Sequence, residues 1–205
     1  MPQLTLYHAT PSRSSVVLWM LEELGQPYDV KLLSLKAGDN RKPDFLAVNP
    51  MGKVPTLTHG DTAITESAAI CTYLADAFPQ AELNIPIGTP QRGVYLKWLF
   101  FGPSCIEPSI MDRAFPRKEE APLSARGHGD FDTVMDVVAG AVAKGPYIMG
   151  GQFTAADVVI GSGLRWGMLF KLIPEQPEFT AYVARLNARP AAKRAAEKDE
   201  TFAAA

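Results

Sequence analysis

N-P-M-G-K-V-P-T-L-T-H-G-D-T-A-I-T-E-S, residues 49–67, holds a hairpin and the start of a helix. Val54 to His59 and Thr62 to Ile64 flank Gly60-Asp61, a two-residue turn with glycine where a positive φ is needed. Pro55 cannot donate to a ladder, so it belongs at a strand start or on an edge. An edge there leaves the Val54 N–H and C=O unpaired, open to an extended peptide added as a further strand. A cis Val54-Pro55 bond would turn the chain sharply at that point. Eleven residues beyond Pro55, Thr65-Glu66-Ser67 opens a helix that runs to Phe78, with Thr65 as the expected N-cap. Ser67 and its neighbouring backbone N–H groups make a carboxylate site at a helix N-terminus, Glu66 a partner for an ammonium, and Lys53 a nearby cation. Taken singly, each is an ordinary capped helix or loop. Taken together, they could grip an amino acid.

Upstream, Leu4-Thr5-Leu6-Tyr7 alternates as a short buried strand. A polar loop, His8 to Ser14, leads to Val17, Met20, Leu21 and Leu24 at i, i+3, i+4 and i+7, one helical face with Glu22 and Glu23 off it. Gly25 and Pro27 stop that helix. Tyr28 to Leu33 is a second strand and Pro43 to Ala47 a short helix. The order is β-α-β-α-β-β-α, a mixed sheet with a parallel first pair and an antiparallel hairpin. Residues 1–78 therefore form one domain, and the proline-rich 79–90 a linker. Residues 91–205 read as all-α: Gln91 to Phe101, interrupted by Gly102-Pro103 and Pro108, then Phe131 to Ala143, Thr154 to Phe170 and Phe179 to Ala188. The tail, Glu197 to Ala205, is expected to fray.

Composition narrows the function. The 205 residues are 47% hydrophobic and 20% charged with a net charge of −2, which argues against disorder and against a basic nucleic-acid or membrane-surface face. The opening M-P-Q-L-T-L-Y-H has no basic-then-apolar pattern, so a signal peptide is not expected. No apolar run approaches the roughly 20 residues of a membrane helix. Cys71 and Cys105, with only His8, His59 and His128 beside them, suggest core thiols in a reducing cytoplasm rather than a disulfide or a zinc site.

N-P-M-G-K-V-P-T-L followed by T-E-S-A-A-I resembles the glutathione-binding half of the cytosolic glutathione S-transferase family. L-E-E-L-G-Q-P-Y at residues 21–28, T-A-A-D at 154–157 and R-P-A-A-K-R-A at 189–195 extend the resemblance over nearly the whole chain, most specifically in the first domain. The resemblance implies a thioredoxin-like domain followed by a helical bundle, and a homodimer. It implies a cis Val54-Pro55 bond, Val54 pairing with the cysteinyl part of glutathione, and Glu66 with Ser67 holding the γ-glutamyl group. Arg41 and Lys42 become candidates for the glycine carboxylate, or else are solvated surface charges. No metal or redox cofactor is implied; glutathione is a co-substrate.

The family's chemistry makes a thiolate from a bound thiol. Lowering a thiol pKa from about 8.5 to about 6.5 needs about 2.7 kcal/mol of preference for the anion. One or two hydrogen bonds to the charged sulfur, at roughly 1.5–3 kcal/mol each, can supply that. The loop His8-Ala9-Thr10-Pro11-Ser12-Arg13-Ser14-Ser15 offers the donors. Ser12 is nearest the serine-type position and Tyr7 sits at the tyrosine-type position, with Thr10, Arg13 and Ser14 as further candidates. Structurally, Ser12 could simply cap the first helix and Tyr7 could be a core strand residue. The loop lacks cysteine, against a cysteine-type member. The resemblance sets the electrophile between this loop and the first helix of the second domain, nominating Thr10, Trp98, Phe101, Cys105 and Arg113, with Trp166 as added aromatic surface. Thr154 and Asp157 read as a structural capping box. Two rivals share the fold: a non-catalytic binding or regulatory protein, and a glutathione-dependent peroxidase or isomerase.

Overall fold

The structure, a computed structural model, describes residues 3–119 and 121–204; Met1 and Pro2 of the opening segment and Ala205 of the tail lie outside the described residues. Strand β1 (Leu4–His8) is followed by α1 (Ser15–Leu24), β2 (Tyr28–Leu32), a 3-10 turn (Asp39–Arg41), α2 (Pro43–Leu46), β3 (Thr56–His59), β4 (Thr62–Thr65) and α3 (Ser67–Ala77). Among the described residues the sheet runs β2-β1-β3-β4, with β1 and β2 parallel and the β1–β3 and β3–β4 pairs antiparallel. Alternation puts Leu4, Leu6 and His8 on one face of β1 and Thr5 and Tyr7 on the other. Leu6, Leu57, Leu18, Leu21, Ile70 and Leu74 are fully buried, each worth roughly 1.5–3 kcal/mol over exposure. Helix α1 ends where Gly25 takes φ +68° and returns its N–H to Leu21 O.

One local expectation is corrected. Thr65 does not cap α3: it closes β4 opposite Thr56, so the turn into the helix falls on Glu66, at φ +68°. Of the two places expected for Pro55, it takes the strand start: it immediately precedes β3, an interior strand, and the sheet edges are β2 and β4. Val54 is unpaired because it lies before the ladder begins.

The chain forms two compact units, 3–81 with 189–204, and 82–188. This differs from a second domain running from 91 to the C-terminus. The tail does not fray: α9 (Pro190–Ala203) is a regular helix packed on α1. Glu22 and Glu23, which the helical pattern left outside the buried face, receive it. Arg189 grips Glu23 with two bonds of 2.7 and 2.8 Å, while Arg194 (2.8 Å) and Lys198 (2.5 Å) converge on Glu22. Burial pushes the Glu22 carboxyl up, but donors from Lys198, Tyr28 and Arg194 outweigh it and hold it below the ordinary range.

The second unit contains α4 (Pro90–Phe101), a π-helical turn (Gly102–Ile106), α5 (Glu107–Ala114), a 3-10 turn (Leu123–Ala125), α6 (Phe131–Val142), α7 (Ala155–Leu169) and α8 (Pro177–Asn187). Pro103 falls in the π turn and Pro108 in the first turn of α5, where missing N–H groups are tolerated. The capping box stands at the head of α7. Asp157 Oδ2 accepts from the Thr154 N–H at 2.8 Å, and Oδ1 from the Ile148 N–H at 2.7 Å and the Tyr182 hydroxyl at 2.8 Å. This fully buried carboxylate joins three segments of the unit. Among the described residues no helix is long and apolar enough to cross a membrane.

Candidate functional site

The ladder registers bring the candidate residues to one end of the sheet. Tyr7 pairs with Thr56 and Thr56 with Thr65, so these three form a row across β1, β3 and β4. Immediately beyond it lie the loop after β1, the Val54-Pro55 segment before β3, and the Glu66-Ser67 start of α3. Strand spacing of about 4.8 Å makes the row about 10 Å wide. A three-residue extended peptide has about the same reach.

The middle of the row is open. The Val54-Pro55 bond is cis, and neither the N–H nor the C=O of Val54 has a hydrogen-bond partner among the described residues. Its approach is braced from below by Asn49, 2% exposed. The Asn49 amide donates to Lys53 O at 2.8 Å and Thr56 Oγ1 at 3.0 Å, and its carbonyl accepts from the Met51 N–H at 3.1 Å. Gly52 takes φ +61°, and a Cβ there would stand 2.7 Å from Asn40 O, so only glycine fits. At the α3 end, Glu66 is exposed and Ser67 half-buried, and the first-turn N–H groups have no intrahelical acceptors.

The flanking cations divide. Arg41 reaches Met51 O at 3.3 Å and so lies against the braced loop. Lys42 is engaged by Asp39 at 2.6 Å on the surface. Lys53 is exposed beside Val54.

The two hydroxyl candidates differ in setting. Tyr7 is 9% exposed, packs on the Phe45 ring at 5.3 Å and accepts at its hydroxyl from Lys31 Nζ at 3.3 Å. It is a core strand residue with a rim hydroxyl on the α2 face. Ser12 is half-buried in the loop before α1, where its Oγ lies 2.6 Å from Ser14 Oγ and accepts from the Ser14 N–H at 3.1 Å. The N-cap position of α1 falls on Ser14, not Ser12, because Ser12 lies before the first helical turn closes. Arg13 is exposed. The Thr10-Pro11 bond is cis, and the Thr10 hydroxyl donates to Asp199 of α9.

Sequence reasoning missed three residues here. Asn49 had a weak signal, a polar residue ahead of a proline. His8 was taken only as the first residue of a loop, yet it is the last of β1 and fully buried. Its Nδ1 is 2.7 Å from Ser14 Oγ and its Nε2 3.0 Å from Asp199 Oδ1. Asp199 had no signal, being 191 positions away.

The electrophile candidates of the second unit lie on α4, the π turn, α5 and α7. Trp98 is 4% exposed and stacks edge-on with Phe101 at 5.4 Å. Trp166 pairs with Phe170 along α7 at 5.0 Å, and the Arg113 guanidinium covers the Phe131 ring at 4.2 Å. Cys105 sits half-buried in the π turn. Burial pushes its thiol up, and takes that of the fully buried Cys71 to about 12, so neither cysteine is an activated nucleophile.

Fold and site together define a thioredoxin-like unit joined to a helical one. The glutathione S-transferase N-terminal domain model matches residues 2–76. Glutathione S-transferase 3 of Zea mays is 30% identical over 166 residues, covering 77% of this chain and 75% of that protein. A crystal structure of a glutathione transferase from Methylococcus capsulatus str. Bath matches with a TM-score of 0.81 at 29% identity, covering 97% of this chain and 99% of that one. A homologue from Sulfitobacter, with bound glutathione, matches with a TM-score of 0.79 at 25% identity over 97% of this chain and 99% of its own. The chain belongs to the glutathione S-transferase family.

Proposed function

We propose that the protein binds glutathione along the row from Ser12 past Val54 to Ser67, ionises its thiol, and transfers the sulfur to a small hydrophobic electrophile. The observation that carries this reading is the convergence, at one sheet end, of an unpaired Val54 peptide with a helix N-terminus and a half-buried serine. The Val54 peptide pairs with the cysteinyl backbone. Glu66 takes the γ-glutamyl ammonium, and Ser67 with the α3 N-terminus takes its carboxylate. Lys53 and Arg41 attract the glycine carboxylate. Ser12 donates to the sulfur, making this a serine-type enzyme; Tyr7 lies in β1 against Phe45, its hydroxyl accepting from Lys31. Phe101 and Cys105, each partly exposed in the helical unit, are its candidates for contact with an electrophile. We further propose a cytoplasmic homodimer acting in detoxification; light scattering at micromolar concentration tests the dimer.

Calorimetric titration with glutathione is the deciding experiment. Binding is expected, weakened tenfold or more in Glu66→Ala, since a charge-assisted bond contributes about 1.5–3 kcal/mol. No binding at millimolar ligand would sink the proposal in favour of a non-catalytic protein. Binding without thiolate absorbance would leave a glutathione-binding protein that does not activate the thiol. A panel of electrophiles and peroxides then separates transfer from peroxide reduction.

A further inference from the structure

Beneath Ser12 runs a line of hydrogen bonds that the proposed function does not yet use. Ser12 Oγ is 2.6 Å from Ser14 Oγ, Ser14 Oγ is 2.7 Å from His8 Nδ1, and His8 Nε2 is 3.0 Å from Asp199 Oδ1. His8 and Ser14 are fully buried, while Ser12, at the outer end, is half-buried. All four residues belong to one compact unit, because α9 returns to α1 and carries Asp199 with it. Among the described residues, the titratable group facing His8 is Asp199 of α9. The Phe202 ring, also of α9, packs on the imidazole at 5.5 Å, and the Thr10 and Ser14 hydroxyls complete its polar contacts.

The direction of every bond follows from the inner end. Burial pushes the Asp199 carboxyl up, but donors from His8, Ser15 and Thr10 outweigh it and leave it at about 2. An ionised carboxylate only accepts, so His8 Nε2 carries the hydrogen toward it. Neutral His8 then has a bare Nδ1, which accepts from the Ser14 hydroxyl. Ser14 Oγ, its proton spent, accepts from the Ser12 hydroxyl and from the Ala9 N–H at 3.2 Å. Ser12 Oγ already takes the Ser14 N–H and keeps one lone pair facing outward.

We propose that His8, held by Asp199, is the resting place of the glutathione thiol proton, which reaches it through Ser12 and Ser14. This rests on the glutathione-binding reading above. The thiol S–H bond breaks and its proton forms a new O–H on Ser12. The former Ser12 proton passes to Ser14 Oγ, and the former Ser14 proton to His8 Nδ1. One thiolate and one imidazolium replace two neutral groups, and the total charge is unchanged. The shift also reverses the line: the Ser12 hydroxyl now donates to the sulfur anion. Ser12 is the residue that touches the sulfur; Ser14, His8 and Asp199 act through it as positioning residues.

Counting protons tests this on the wild-type protein. Glutathione is titrated in weak buffer with an indicator at about pH 7.5, above the ordinary range of an imidazole, while ultraviolet absorbance counts the thiolate. The relay predicts thiolate with little proton release. In Ser14→Ala the line is cut: each thiolate that forms releases its proton to solvent, and the bound-thiol pKa rises by about one unit, a tenfold effect. His8→Asn, whose carboxamide can accept from Ser14 but cannot hold the proton, should behave alike. A merely structural role for His8 would move the melting temperature and leave the proton count alone. Wild-type release of one proton per thiolate overturns the relay and leaves glutathione binding standing. Failure of the wild type to bind glutathione overturns the binding reading and the relay with it. Should both variants fail to fold, the wild-type count decides by itself.

Discussion

Two aspartates, one in each unit, Asp157 buried and Asp199 half-buried, meet similar polar surroundings and titrate in opposite directions. Asp157 accepts from two backbone N–H groups, a tyrosine and a threonine; burial dominates and its carboxyl is pushed up. Asp199 accepts from a histidine and two hydroxyls, with its side chain 22% exposed, and is held at about 2. The donors to Asp157 cannot gain or lose charge near neutrality, so the site is a closed knot that ties α7 to α8 and to the segment at Ile148. Asp199 faces an imidazole, whose second nitrogen leads on to Ser14. A carboxylate count or burial value alone would not separate a structural knot from the base of a proton line; the chemistry of the donors does.

Three experiments press on this contrast. The largest effect is expected from Asp157→Ala. It strands the Ile148 and Thr154 N–H groups and the Tyr182 hydroxyl in the core, at roughly 1–3 kcal/mol each. A loss of about 3 kcal/mol or more in denaturant melts, with thiol chemistry intact in the folded fraction, is the expected outcome. A loss below about 1 kcal/mol would break the contrast. Ser12→Ala comes next: the bound-thiol pKa should rise by a unit or more, at about 1.4 kcal/mol per unit. An unchanged pH–rate profile would hand the sulfur to Arg13 or Tyr7.

The smallest effect is the acid limb of stability. Unfolded, the Asp199 carboxyl titrates at its ordinary 3.8; folded, at about 2. Between these values the unfolded chain binds more protons, so acid favours unfolding. The stabilisation is complete above about pH 4 and lost as pH falls through about 2, on the order of 1 kcal/mol after solvent screening. Asp199→Asn should remove that limb. Asp157 has the reverse sign: its contribution is full below 3.8 and lost as pH rises through its raised folded value. Urea melts between pH 2 and pH 6, compared across wild type and Asp199→Asn, would show whether the two signs differ.

Much of the fold was legible along the chain. Period-2 strands against period-3.6 helices set the β-α-β-α-β-β-α order, and the hairpin at Gly60-Asp61 falls where turn chemistry puts it. Val54, Glu66 and Ser67 were legible for the same reason, since each depends on neighbours within a few residues. Thr65 was misjudged by one position, because a helix cap and a strand end compete for the same residue and only the ladder arbitrates.

What lay beyond local chemistry was decided by long-range packing. Ser12 and Tyr7 are both hydroxyls near the head of α1, and only the fold shows their settings, Tyr7 against Phe45 and Lys31 and Ser12 beside Ser14. Glu22 and Glu23 lie off the apolar face of α1, and only the return of α9 shows what meets them. That same return sets Asp199 against His8, across 191 positions of chain. Backbone periodicity and turn stereochemistry are local energies, written into each short segment. Ion pairs and proton lines between distant segments exist only after the chain has closed, because burial and exact distance, the quantities that make them matter, are properties of the folded state alone.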